Sequence, residues 1–227
     1  MNVFIDDFRL LRVESDAYIY DIKLDGYEVN WLRNGNHQYF STNQDIKLHE
    51  VDHIMINGNR YPVKIGLVTL TPAFEKRFRY DGPLGFVYTK EASSFYLFSP
   101  VAKEVILVLD NQNFIMTYEE PIWKVTIKGD QHLKPYHYDI RLDETFKSVK
   151  DPYTTAASAK YSHVVDFKQT LQLNKTPIKV KNYVDAVIYE GHVRDMSINL
   201  DVEHKGLYEG LIEDSKFLGG NVLNYIK

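Results

Sequence analysis

The chain has 227 residues, 44% of them hydrophobic and 26% charged, with a formal net charge of -4. That length fits one large or two small domains able to bury a core, and the mild acidity gives no basic footprint for nucleic acid. Cysteine is absent, which removes disulfides, thiolate nucleophiles and cysteine-ligated metal sites together.

The opening run MNVFIDDFRLL carries Asp6 and Asp7 where a signal peptide needs a basic segment before an apolar one, so no signal peptide is expected. No apolar run approaches the roughly 20 residues of a membrane helix. A cytoplasmic protein without a membrane partner is the expectation. LLRVES (10–15) and AYIYDIKL (17–24) read as short strands. In the second, Ala17, Ile19 and Asp21 alternate with Tyr18, Tyr20 and Ile22. Asp25-Gly26 then signals a turn. Asn34-Gly35 and Asn57-Gly58 are hairpin signals, because both residue types tolerate positive φ. His49 and His53 stand four apart, a spacing that suits metal ligands on a helix. The surrounding HEVDHIMIN reads as strand instead, and no third ligand is evident.

Residues 71–79 (TPAFEKRFR) read as a joint, after which the strand rhythm restarts. GFVYTK, SSFYLFS, KEVILVLDN, QNFIMTY, WKVTIKG and PYHYDIRL are runs of similar length separated by turn residues, the pattern of a second sandwich. From Asp151 the texture changes to an irregular connection, DPYTTAASAKYSHVVDF. NYVDAVIYEGHV (182–193) is a mostly apolar run of the kind buried on both faces of a parallel sheet. Gly219-Gly220-Asn221 then opens a short helix, VLNYIK. A strand, a loop and a helix form the first unit of an α/β architecture.

Four motifs in order now carry a resemblance. Tyr80–Leu109 (YDGPLGFVYTKEASSFYLFSPVAKEVILVL) resembles the opening of the family 48 carbohydrate-binding module, which precedes the barrel in pullulanases, isoamylases and branching enzymes. Trp123, Lys128-Gly129-Asp130 and Tyr136-His137-Tyr138 are similar to its later strands. Asp151-Pro152-Tyr153 resembles the Asp-Pro-Tyr-Ala segment that leads out of it, with Thr154 in place of Ala. Ala186–Ser197 (AVIYEGHVRDMS) resembles the first barrel strand of the bacterial type I pullulanases, with Gly191 where Leu is usual and Met196 where Phe is usual. Lys205–Leu211 departs similarly, with Leu207 and Glu209 in place of Lys and Leu.

The resemblance implies a mainly β chain. Two Ig-like β-sandwich modules, 1–78 and 79–150, precede a connection over 151–183 and the first strand-helix stub of a (β/α)8 barrel over 184–227. It also implies retaining glycoside hydrolysis by the α-amylase superfamily, which needs two carboxylates about 5–5.5 Å apart at the carboxyl ends of barrel strands. In the family the nucleophile Asp follows an Arg by two residues on the fourth strand, and the acid Glu lies on the fifth. A barrel takes about 250 residues, so the catalytic strands are not expected here. Arg141-Leu142-Asp143 has the Arg-x-Asp spacing but precedes the barrel, and His192, Arg194 and Asp195 belong to a run that is mainly structural in the family. The expectation is therefore no catalytic residue, no metal and no cofactor, and a chain inactive by itself.

Sugar binding is the remaining chemistry. Tyr27, Asn30, Trp31 and Tyr39 cluster aromatics and an amide around the turn at Arg33–Asn36, and aromatic rings with nearby amides are what a pyranose ring and its hydroxyls require. Trp123 begins a strand and is read as core. The expected partner is an α-glucan (pullulan, glycogen or a maltooligosaccharide). A homodimer through the exposed barrel stub is a further expectation. The alternative to an enzyme's front end is a stand-alone glucan-binding or structural interaction fragment.

Overall fold

The computed structural model describes residues 1–34, 37–170 and 180–226. It divides into two compact units, Met1–Leu171 and Gln172–Lys227.

The first unit opens with β1 (Asn2–Asp7), β2 (Leu10–Glu14), β3 (Ile22–Lys23), β4 (Val29–Asn34), β5 (Gln38–Thr42), β6 (His53–Ile56) and β7 (Asn59–Ile65). These join in the order β3-β6-β7-β1-β2-β5-β4. The path turns on β7. Asn59–Pro62 pair antiparallel with β6, and Val63–Ile65 pair parallel with β1. Pro62, which has no N–H to donate, falls at the handover. Both halves of the path contribute to one core, with Val3, Ile5, Leu11, Val13 and Phe40 from one side of β7 and Ile54 and Ile56 from the other. The two halves of this first β module are therefore joined through β7, one strand that serves both, around a single core.

The Asn57-Gly58 hairpin forms as read, with φ of 50° and 80° at its two central residues. The strand expected over 17–24 shrinks to Ile22–Lys23. Asn57 explains the difference. Its side chain accepts from the amides of Tyr20 (3.0 Å) and Asp21 (3.1 Å) and donates to the Tyr18 carbonyl at 2.8 Å. One amide side chain replaces a strand ladder, and Tyr18 and Tyr20 are left exposed.

Residues 71–79 are more than a joint. Pro72–Phe78 forms helix α1, capped by Thr71, whose side chain accepts from the Phe74 amide at 3.1 Å. Thr at the cap followed by Pro in the first turn is a start signal that the sequence carried.

A second core follows, between two sheets. One contains β8 (Gly85–Tyr88), β9 (Ala92–Phe98), β12 (Thr117–Glu119) and β13 (Ile122–Lys128) in the order β12-β13-β9-β8. The other holds β10 (Glu104–Leu109), β11 (Gln112–Ile115), β14 (Pro135–Arg141) and β15 (Phe146–Val149) in the order β11-β10-β14-β15, with β16 (Ser162–His163) also on β14. Inward positions alternate as strand geometry requires. Val105, Leu107 and Leu109 of β10, with Tyr136 and Tyr138 beside them on β14, meet Phe95, Leu97 and Trp123 from the other sheet. Trp123 is 6% exposed and donates its indole N–H to the Ser99 carbonyl at 3.0 Å, so the reading of it as core holds.

The two cores of this unit are tied by side chains. Arg77 of α1 grips Glu120 with two bonds of 3.0 and 3.2 Å while its guanidinium lies over the Phe8 ring. Arg141 reaches Asp52 at 3.1 Å. The Lys103 ammonium donates to the carbonyls of Leu48 and Val51. Burial pushes the Lys103 pKa down to about 8, with Asp52 opposing that shift and Arg141 adding to it.

The second unit has a small core of Leu200, Val202, Leu211 and Val222. Helices α2 (Val193–Ser197) and α3 (Val222–Ile226) flank it, and Asn221 caps α3 through the Asn224 amide at 2.9 Å. Carboxylates staple its loops. Glu213 accepts from the amides of Glu203 (2.8 Å) and His204 (3.1 Å) and from the His204 ring. That contact raises the His204 pKa. The barrel strand expected across 182–193 is not formed. Tyr183–Asp185 is a single 3₁₀ turn, and His192 begins a helix. Val187 and Ile188 are 99% and 86% exposed. A strand of a parallel sheet is made by its neighbours, and among the described residues none pairs with this run.

Candidate functional site

The residues singled out for sugar contact lie on or near the β4–β5 hairpin, whose turn at 35–36 lies outside the described residues. Register separates them. Trp31 stands opposite Phe40, and Asn30 opposite Ser41. Phe40 faces the core, so alternation puts Trp31 on the core side of the sheet and Asn30 on the other. Because β4 is the terminal strand, the core ends before Trp31, which is 61% exposed beside Leu32 at 49%. Tyr39 stands opposite Arg12 on the non-core face and opposite Arg33 across a bulge between Trp31 and Arg33. Tyr27 packs against the first core, and its hydroxyl accepts from the Lys47 amide at 2.9 Å. The structure therefore brings Asn30 and Tyr39 to one face, leaves Trp31 as an exposed ring on the other, and uses Tyr27 as a brace.

The remaining sequence candidates resolve into structural roles. His49 packs against Tyr118 in a tilted ring pair with centroids 4.1 Å apart, and burial lowers its pKa against the pull of Glu50. His53 instead meets Arg60 at 2.9 Å, so the two histidines do not form a ligand pair. Among the described residues no group of three or more potential ligands could hold a metal. Arg141 is spent on Asp52 and Glu104, while the Asp143 carboxylate accepts from the Thr145 amide and hydroxyl within its own turn. On a strand, alternation would set His192 and Arg194 on one side and Asp195 on the other. The three lie instead at the start of α2, where Arg194 and Asp195 form an exposed pair at 3.5 Å.

Asp151 is the most buried carboxylate among the described residues of the first unit, and in the sequence it stood out only through its place in Asp-Pro-Tyr. It is 2% exposed. One carboxylate oxygen accepts from the Tyr136 hydroxyl at 2.7 Å and distantly from Tyr138 at 3.5 Å, and the other accepts from the Tyr153 amide at 2.8 Å. Burial raises its pKa, against the three hydrogen bonds that lower it. The alternation Tyr136–Tyr138 was a visible signal that two hydroxyls enter one core and need an acceptor.

No family model matches the chain. The curated pullulanase of Bacillus subtilis (strain 168) is 33% identical over 183 residues, which cover 75% of this chain and 26% of that protein. The chain belongs with the pullulanases. Their solved structures share its fold. A pullulanase from Anoxybacillus sp. LM18-11, crystallised with maltotetraose, superposes with a TM-score of 0.85 at 25% identity, over 100% of this chain and 36% of that one. The pullulanase from Bacillus acidopullulyticus gives 0.67 at 27% identity, over 85% and 26%. The chain thus spans roughly a quarter to a third of the pullulanases it matches. The mainly β architecture with several sheets agrees with their N-terminal domains.

Proposed function

We propose that this chain is the non-catalytic N-terminal portion of a pullulanase, an enzyme that hydrolyses α-1,6-glucosidic branches, and that by itself it performs no hydrolysis. The observation that carries this reading is a fold match across the whole chain that occupies only 36% of the matching pullulanase. The bonding of Arg141 and Asp143 within structural contacts supports it as well. The test is reducing-sugar release from pullulan by the purified chain. No release above buffer is expected, and measurable turnover would overturn the reading.

A second reading, a stand-alone glucan-binding module, draws on Trp31. An indole 61% exposed on a terminal strand offers a free apolar face to a pyranose ring. Isothermal titration with a branched maltooligosaccharide is expected to give saturable heat, and Trp31→Ala to weaken binding by about 1–2 kcal/mol, the scale of a lost anchor residue. The variant should melt within about 0.5 kcal/mol of wild type, because the ring buries little. Equal heats from the two proteins would remove Trp31 from the site. The uncovered run 186–190 supports self-association, which sedimentation of wild type against Val187→Asp would detect.

A further inference from the structure

A cleft of about 290 Å³ lies in the first unit, between β8 and the chain on either side of β16. Phe86, Tyr88, Tyr153 and Phe167 line it, with Asp166 and Lys168 among the polar members of its wall. No sequence motif marked these residues as a group, since they come from three separate stretches, 84–88, 153–155 and 165–168.

Its walls are held from behind. The Tyr88 hydroxyl donates to Asp130 at 2.9 Å. The Tyr153 amide is held by buried Asp151. Gly85 sits at φ 79°, where an added Cβ would come within 3.1 Å of the Tyr153 Cβ, so the two sides approach as closely as a glycine allows. Asp166 is 6% exposed, with one oxygen accepting from the Lys168 amide (3.0 Å) and the other from the Gln169 side chain (2.8 Å). Its own amide donates to His132 Nδ1 at 2.9 Å. A wall fixed before a ligand arrives loses little entropy when one binds.

The composition selects the ligand. Aromatic faces favour a flat apolar surface. Asp166 and Lys168 offer one charge of each sign, which favours a neutral molecule rich in hydroxyls over an anion or a cation. The volume lies near the lower end of the ~300–1,000 Å³ range of small-molecule sites, enough for one ring of a longer chain. Neutral, hydroxyl-rich and apolar on its ring faces describes a pyranose.

We propose that this cleft is a glucan-binding site separate from Trp31, built to hold one glucose unit of a short α-glucan against Tyr153 and Phe167. The choice of glucan among neutral sugars rests on the pullulanase reading above.

The test is titration of the full chain with maltotriose, followed by amide NMR. Signals from 84–88 and 165–168 are expected to shift together, and to do so in Trp31→Ala as in wild type. Phe167→Ala should weaken the maltotriose response at this cleft at least tenfold. Tyr153→Ala, which removes a ring 46% exposed, repeats the test should Phe167→Ala disturb the fold. The assignment fails if millimolar maltotriose leaves these signals in place, or if the well-folded variants bind as wild type does. Pullulan hydrolysis by the chain would overturn the non-catalytic reading and leave this one standing.

Discussion

Replacing Asp151 with Ala is expected to lower the unfolding free energy of the first unit by about 3–5 kcal/mol, the cost of leaving several buried donors without their acceptor. The loss follows from what is left behind. Tyr136 and Tyr138 are both 0% exposed, and Asp151 is the acceptor that their hydroxyls reach. The Tyr153 amide loses its acceptor too, and with it the start of the segment that forms one wall of the aromatic cleft. Stranded donors cost about 1–3 kcal/mol each when water cannot reach them. Tyr136→Phe, which removes a donor and leaves the carboxylate with its remaining partners, should cost about 1–2 kcal/mol. Urea denaturation of the three proteins decides the matter. A loss under about 1 kcal/mol for Asp151→Ala would mean that water replaces the carboxylate and that the site is not sealed.

The same residue predicts a pH dependence of definite sign. Burial raises the Asp151 pKa above its ordinary value of 3.8. Between those two values the folded chain binds a proton that the unfolded chain releases, so this group favours folding more as the pH falls through the raised pKa. At neutral pH it contributes a penalty instead, the cost of a buried charge. Asp151→Asn keeps an acceptor and cannot ionise. Wild type should therefore gain stability relative to Asp151→Asn between pH 7 and pH 4. Parallel changes in the two proteins over that interval would assign the pKa shift no energetic weight.

Much of this fold is legible because strands announce themselves by alternation. Val105, Leu107 and Leu109 point inward at every second position, and each sits in the second core. The Asn57-Gly58 turn was readable because only a few residue types tolerate its positive φ values. Where reading failed, the deciding partner lay far along the chain. Tyr18–Asp21 has a strand's alternation, yet Asn57, 36 to 39 residues on, takes its backbone bonds. The run at 186–190 has the composition of a buried parallel strand, but composition cannot supply the neighbouring strands that such an element needs. Trp31 shows the same limit. Its neighbours in sequence suggested one cluster with Asn30, and a period of two put them on opposite faces. Lys103 gave no signal at all, since its partners are main-chain carbonyls of the other core.

Gly66→Ala is expected to cost about 3 kcal/mol, from a collision between a methyl group and a buried ion pair. Gly66 follows β7 with φ -103° and ψ -129° and caps the 3₁₀ turn over Leu67–Leu70. Its amide donates to the Ile5 carbonyl at 2.9 Å, which draws the backbone onto β1. A Cβ there would lie 2.1 Å from Asp6 Oδ1, 2.9 Å from the Ile5 carbonyl oxygen and 3.0 Å from the Phe4 Cβ. Asp6 cannot simply turn away. It is 7% exposed, holds Arg12 at 2.6 Å and accepts from the Leu67 amide at 3.1 Å. Either the carboxylate moves and leaves the Arg12 guanidinium with Glu14 alone, or β7 parts from β1 and the Ile5–Ile65 pairing is lost. A double-mutant cycle separates these routes. If Asp6 is the obstacle, Gly66→Ala should cost much less in an Asp6→Ala background than in wild type. If its cost is unchanged there, the backbone of Ile5 is what resists. A cost near zero in both backgrounds would show that β1 and β7 yield easily, and that the parallel pairing that joins the two halves of the first module at β7 is weaker than its geometry indicates.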